Sequence, residues 1–364
     1  MGSEPRFAEL ALGLLLRGGG ATTDGDRAKQ VGDWDRFREF ARRNVILVRG
    51  HDVLEREGVP VEEGFAEAVA PERRRIERTV RFIAELGAMC GRHDIEFVFT
   101  KAFQHYPDMG HDVDLLVLDR SNRIDSLVGQ SFKSVRGADS LINRVAGKTS
   151  WEVEGEPTPL EVHHGRLGHV GEHNVYPGIL FRRRAQVQIA GITTCVPSPE
   201  DQLIVQVLQR IYAHLSLRVS DVVHTARLLG HDMDWDYIVE TTRQIGVFGG
   251  LCCYLRSVDE ICQGLGERAV RVETWRHLGQ SGWGNIRLGR WHYRFPVVRV
   301  CGRLYGEKLA RDLASADWAS AGRLLLLPPL AVAAAGRAVL RRAGQGRSRP
   351  SPGRKVEGDA EAPV

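Results

Sequence analysis

One segment limits what this chain can fold into. Phe97-Val98-Phe99-Thr100-Lys101, then Gly110-His111-Asp112-Val113-Asp114-Leu115-Leu116-Val117, reads as strand, turn, strand. Residues i and i+2 of a strand share a face. Asp112 and Asp114 are therefore expected side by side on the edge of an otherwise apolar strand. Adjacent carboxylates repel and are costly to bury unpaired. A hard divalent cation relieves that cost, and Mg²⁺ is typically held by one or two carboxylates plus substrate phosphates. Metal-dependent phosphoryl or nucleotidyl transfer is the chemistry such a strand serves. The bland alternative is a solvated strand end.

A two-metal transfer site holds its cations about 4 Å apart and needs a third acid. Glu161 is the best candidate. In Leu160-Glu161-Val162-His163 it shares a strand face with His163. His163 either orients a metal ligand, assists loss of the acceptor's proton, or is a plain hydrogen-bonded histidine. Lys101 sits in the turn before the acidic strand, where an ammonium can neutralise a triphosphate or simply face solvent. His164, His169 and His173 extend a histidine-rich stretch whose spacing matches no closed zinc motif.

The chain has 364 residues, enough for two or three domains, and a formal charge of only +4, much of it from the basic tail. That charge does not argue for nucleic acid. The six cysteines form no CxxC pair, as expected of buried thiols in a reducing compartment. The apolar patch Leu10 to Leu16 lacks a basic leader and a cleavage site, so it does not read as a signal peptide. A cytoplasmic protein is expected. The apolar segment Leu324 to Leu340 contains Pro328, Pro329 and Arg337. It falls short of the roughly 20 apolar residues of a spanning helix. A packed terminal helix or weak membrane-surface contact through 324–340 is expected instead.

Trp34, Phe37, Phe40 and Ala41 fall at helical spacing behind Asp33 as N-cap. A longer helix is expected from Pro71 to Cys90, with proline opening it. Arg73, Arg74, Arg75 and Arg78 then read as a solvated face. Strands are expected at 95–99, 113–118, 160–164 and 186–194, with a helix at 121–129. Ser198 with Pro199 marks the start of a helix, and further helices run to about Ala321. The residues from Gly344 have the composition of a disordered tail.

The run Thr100-Lys101-Ala102-Phe103, then Tyr106-Pro107-Asp108, then Gly110-His111-Asp112-Val113-Asp114-Leu115-Leu116-Val117 resembles a poorly characterised bacterial nucleotidyltransferase family of the polymerase-β-like superfamily. Glu161-Val162-His163, the Ser198-Pro199-Glu200-Asp201 helix start and Asp221 match later features of that family. Asp33-Trp34 through Arg43 is similar in kind. The resemblance covers residues 30 to 300 and is specific around 97 to 117.

It implies an α+β fold: a small mixed β-sheet nucleotidyltransferase core flanked by N-terminal and C-terminal helical regions. The expected divisions are a helical region at 1–90, the α/β core at 91–195, a helical domain at 196–321, and an apolar helix with a basic tail at 322–364. Asp112, Asp114 and Glu161 would be metal ligands, joined by His163 in the catalytic set. Lys101 and Ala102 would face the nucleotide. The implied reaction is Mg²⁺-dependent, with one or two ions, and moves a nucleoside monophosphate from an NTP such as ATP to a hydroxyl acceptor with release of pyrophosphate. The acceptor would be a small molecule, a peptide or protein, or RNA; no DNA is expected. A degenerate member that binds nucleotide or protein without turnover is the alternative. Ala102 stands where the family has glycine. Its methyl disfavours positive φ, which bears on how closely the backbone can approach a triphosphate.

Overall fold

The computed structural model describes residues 4–17, 31–119, 121–138, 140–278 and 286–329. It is an α+β protein built around a five-stranded mixed sheet. The strands are β1 (Phe97–Phe99), β2 (Val113–Val117), β3 (Ser134–Arg136), β4 (Lys148–Val153) and β5 (Leu160–His164), in the order β1-β2-β5-β4-β3. Only β2 and β5 run parallel; β1 on β2, β4 on β5 and β3 on β4 are antiparallel. All five residues of β2 are buried, as befits a strand with a neighbour on each side and a layer on each face. Burying Val113, Leu115 and Val117 contributes about 1.5–3 kcal/mol each.

A 30-residue helix, Glu63–Arg92, packs beside the sheet. Gly87 lies under the Phe97 ring, and a Cβ there would meet that ring at 3.3 Å, so glycine permits the close approach. The helix does not open at Pro71 as the sequence suggested. It starts at Glu62, whose carboxylate accepts from the Phe65 amide, and Pro71 lies inside it. Proline removes one hydrogen-bond donor. Phe65, Ala68 and Val69 are nevertheless buried ahead of it, and their packing carries the helix through.

The stretch 186–194 is likewise not one strand. It is a hairpin of β6 (Ala185–Ile189) and β7 (Ile192–Val196). Its two turn residues, Ala190 and Gly191, both have positive φ, the requirement of a tight hairpin turn. Alanine in the first turn position hid that signal. Strands β3 and β4 were not anticipated.

Helices flank the sheet on both sides in sequence. Asp33 caps helix Trp34–Arg43, which buries Phe37, Phe40 and Ala41. Helix Leu47–Arg56 follows. On the other side, Ser198 caps Pro199–Val207. That helix continues without interruption into a π-helical turn, Leu208–His214, closed by Leu215 in the left-handed region. Helices Val219–Leu228, Trp235–Gln244, the deeply buried Phe248–Gln263, Val272–Leu278 and Val297–Ala314 follow. Core side chains form one contiguous cluster from Phe7 to Leu304. Cys90, Cys252, Cys253 and Cys262 are buried and Cys195 is half-buried. Among the described residues no helix is long and apolar enough to cross a membrane. Of the apolar segment 324–340, residues 324–329 belong to a helix spanning 318–329. The rest of it, and the tail from Gly344, lie outside the described residues.

Candidate active site

Parallel pairing sets Asp114 on β2 directly against Glu161 on β5. The same register places His163 one pleat further along the face that carries Glu161. Ligand atoms of Asp114, Glu161 and His163 all lie within 4.8 Å of one another. Asp112 is not on the strand. It occupies the bend just before Val113 and is exposed at the mouth of the site. It remains electrostatically tied to Asp114, whose charge is the first cause of an Asp112 carboxyl held above the usual range.

Asp114 is the buried centre of this arrangement. Its Oδ2 lies 2.8 Å from Lys101 Nζ, and its Oδ1 lies 2.9 Å from His163 Nε2. Burial alone would raise the Asp114 carboxyl; Lys101 and His163 overcome that and hold it well below the usual range. An ionised carboxylate only accepts, so His163 Nε2 carries the proton of this bond. Desolvation opposes the Lys101 charge, but Asp114 and then Asp112 outweigh it and raise the ammonium's pKa. Glu161 is paired with a second lysine, Lys148, the first residue of β4. Each strand acid thus has a lysine partner.

Ala102 is 5% exposed and belongs to the apolar core. It lies outside the left-handed region, so its methyl packs inward and strains nothing. The turn that follows is held from outside. Arg75 donates to the carbonyls of Met109 and Gly110 and to Thr158 Oγ1. This arginine is a structural clamp on the bend that presents Asp112, not part of a solvated face. Asp108, buried, accepts from the amides of Val48 and Arg49 at 2.8 and 3.2 Å, and burial pushes its carboxyl up to about 6. Arg49 in turn donates to the His105 carbonyl at 2.6 Å.

The same turn is tied to the helices after the sheet. His105 Nε2 lies 3.3 Å from Asp221 Oδ1. Asp221, fully buried, also receives Arg210 at 2.8 Å, the Arg218 amide at 2.7 Å and Gln206 at 3.1 Å. Burial would raise the Asp221 carboxyl, but Arg210 and His105 hold it well below its usual range. The π-helical turn that carries Arg210 also carries His214. Desolvation in the cleft, then the charges of Arg210, Lys101 and Arg218, push its ring down. The His214 ring is therefore neutral, Arg210 is spent on Asp221, and Lys101 is the cation that stands against the Asp114 carboxylate.

His164 and His173 do not join the site. His164 faces Asp125 and Thr149. His173 lies against Tyr212. Lys148, Arg210 and His214 were missed in the sequence, and Arg75 was read there as part of a solvated face. Lys148 had one usable signal, a Gly-Lys step that opens a strand. The others depend on long-range packing.

The donor set suits a hard cation. Two carboxylates face one another, a third stands just before the strand, and His163, its Nε2 proton held by Asp114, orients rather than ligates. Among the described residues the other such group is His51, Asp52 and Glu55, where Asp52 is already paired with Arg73. No curated protein and no solved structure matches the chain significantly. A family model described as an uncharacterised nucleotidyltransferase matches residues 30–263. With most of the chain covered, and with paired strand acids at the centre of the matched region, the chain belongs to this uncharacterised nucleotidyltransferase family.

Proposed function

We propose that the protein transfers a nucleoside monophosphate from an NTP to a hydroxyl acceptor and releases pyrophosphate. The observation that carries this reading is the facing pair Asp114–Glu161 with Lys101 against it: acids for metal, a cation for phosphate. Asp112, Asp114 and Glu161 would hold one or two Mg²⁺ ions. Such ions neutralise charge on the reacting phosphate and activate the attacking oxygen.

The chain's own residues supply the rest. Lys101 neutralises the β- and γ-phosphates as the bond from the α-phosphorus to its bridging oxygen breaks. Glu161 accepts the proton of the acceptor hydroxyl, whose oxygen forms the new bond to the α-phosphorus. His163 spends its Nε2 proton on Asp114 and is a positioning residue rather than a base. Preorganised charges of this kind are the largest single contribution in many enzymes. For Lys101 to serve phosphate, its ammonium must give up Asp114 to the cation.

One observation favours a second reading. Both strand acids are already neutralised by lysines, so the fold is electrostatically satisfied without metal, as a non-catalytic nucleotide-binding member would be. The deciding experiment supplies each α-labelled NTP, Mg²⁺ or Mn²⁺, and a cell extract as acceptor source. Label transfer with pyrophosphate release supports the enzyme. Tight NTP binding with no transfer supports the binding protein.

A further inference from the structure

We propose that the outer face of helix 318–329, together with the basic sequence after it, seats the protein on an anionic lipid surface. The helix turns Ser320, Ala321 and Leu324 into the body of the protein, where all three are buried. Its opposite face presents Trp318, Leu325 and Leu326, which are 69%, 60% and 43% exposed. Residues 318 and 325 are two turns apart and share a face, with 326 adjoining. A helix face this apolar is normally covered, and among the described residues this one is open to solvent. Leu313, at the end of the preceding helix, is also 44% exposed.

Charge selects the occupant. From Trp318 to Val356 the sequence has no aspartate or glutamate, while its cations run from Arg323 to Lys355. A second copy of this chain would bring like charges together. A nucleic acid would take the cations and leave tryptophan and leucines in water. An anionic membrane satisfies both features: apolar side chains enter the headgroup boundary, and arginines meet the lipid phosphates. Tryptophan is the side chain most at home at that boundary.

The full-length chain is tested by co-sedimentation with vesicles of phosphatidylcholine alone and of phosphatidylcholine mixed with phosphatidylglycerol. Binding is expected to the mixed vesicles and to weaken as salt is raised. The variant Trp318→Ser/Leu325→Ser/Leu326→Ser keeps its melting temperature, because these side chains are exposed, and loses at least about tenfold in partitioning. Equal binding to both vesicle types, or none, overturns the proposal. So does undiminished binding by the triple variant, or a wild-type dimer in light scattering that the variant dissolves without any lipid binding.

Discussion

Asp114 and Glu161 face one another across parallel strands, and each is neutralised from a different side: Asp114 by Lys101 from the β1–β2 turn, Glu161 by Lys148 from β4. The two acids are separated by 47 positions in the chain and meet only because β2 and β5 pair. Two lysines hold charge where the proposed reaction needs cations.

Asp114→Asn keeps the shape of the side chain and removes its charge. Label transfer is expected to fall by at least about 10³-fold. Loss of the buried partner of Lys101 also destabilises, and breaking a buried pair costs about 3–5 kcal/mol. Urea unfolding alongside the assay separates the two effects; unchanged transfer in a folded variant contradicts the assigned role.

Lys148→Met frees Glu161 from its ion pair. Mn²⁺ affinity is expected to rise by about tenfold, since a cation beside the ligands has been removed. Titration calorimetry reads this without turnover. Weaker Mn²⁺ binding would show that Lys148 holds Glu161 in place rather than competing for it.

Ala102→Gly introduces the residue that the family resemblance implies at this turn. Because Ala102 is packed in the core and outside the left-handed region, the change should not improve catalysis. Stability is expected to drop by about 0.4–1 kcal/mol through the freer unfolded chain. Transfer should stay within about twofold of wild type. A large gain would mean the methyl does obstruct the nucleotide.

Asp221 governs part of the acid limb of stability. Its folded-state pKa lies below the ordinary 3.8, so the unfolded chain binds the proton more readily and stability rises with pH. The contribution is complete above about pH 4 and is lost as pH falls further toward the folded-state value. Asp221→Asn should therefore unfold more easily at pH 7 and show a shallower fall in acid. Chemical unfolding at a series of pH values checks this.

The apolar Leu115-Leu116-Val117 run beside the acids made β2 legible in the sequence, and the alternation in 160–163 did the same for β5. Ser198-Pro199 and Asp33 announced their helices through ordinary capping chemistry. What was hidden is what depends on tertiary contact. The β2–β5 pairing, the Lys148–Glu161 ion pair and the Asp221 network join residues far apart in the chain. Pro71 misled because packing of Phe65, Ala68 and Val69 overrides its local preference, and Ala190 because a hairpin turn usually asks for glycine or asparagine there.

The most direct test of the central claim is transfer of label from α-labelled NTPs, in Mg²⁺ or Mn²⁺, by wild-type protein and by Asp112→Asn/Asp114→Asn. The account predicts metal-dependent label transfer with pyrophosphate release by the wild type and its loss in the folded double variant. Label transfer that survives in the double variant, or a wild type that neither binds Mn²⁺ nor transfers label from any NTP, would contradict it.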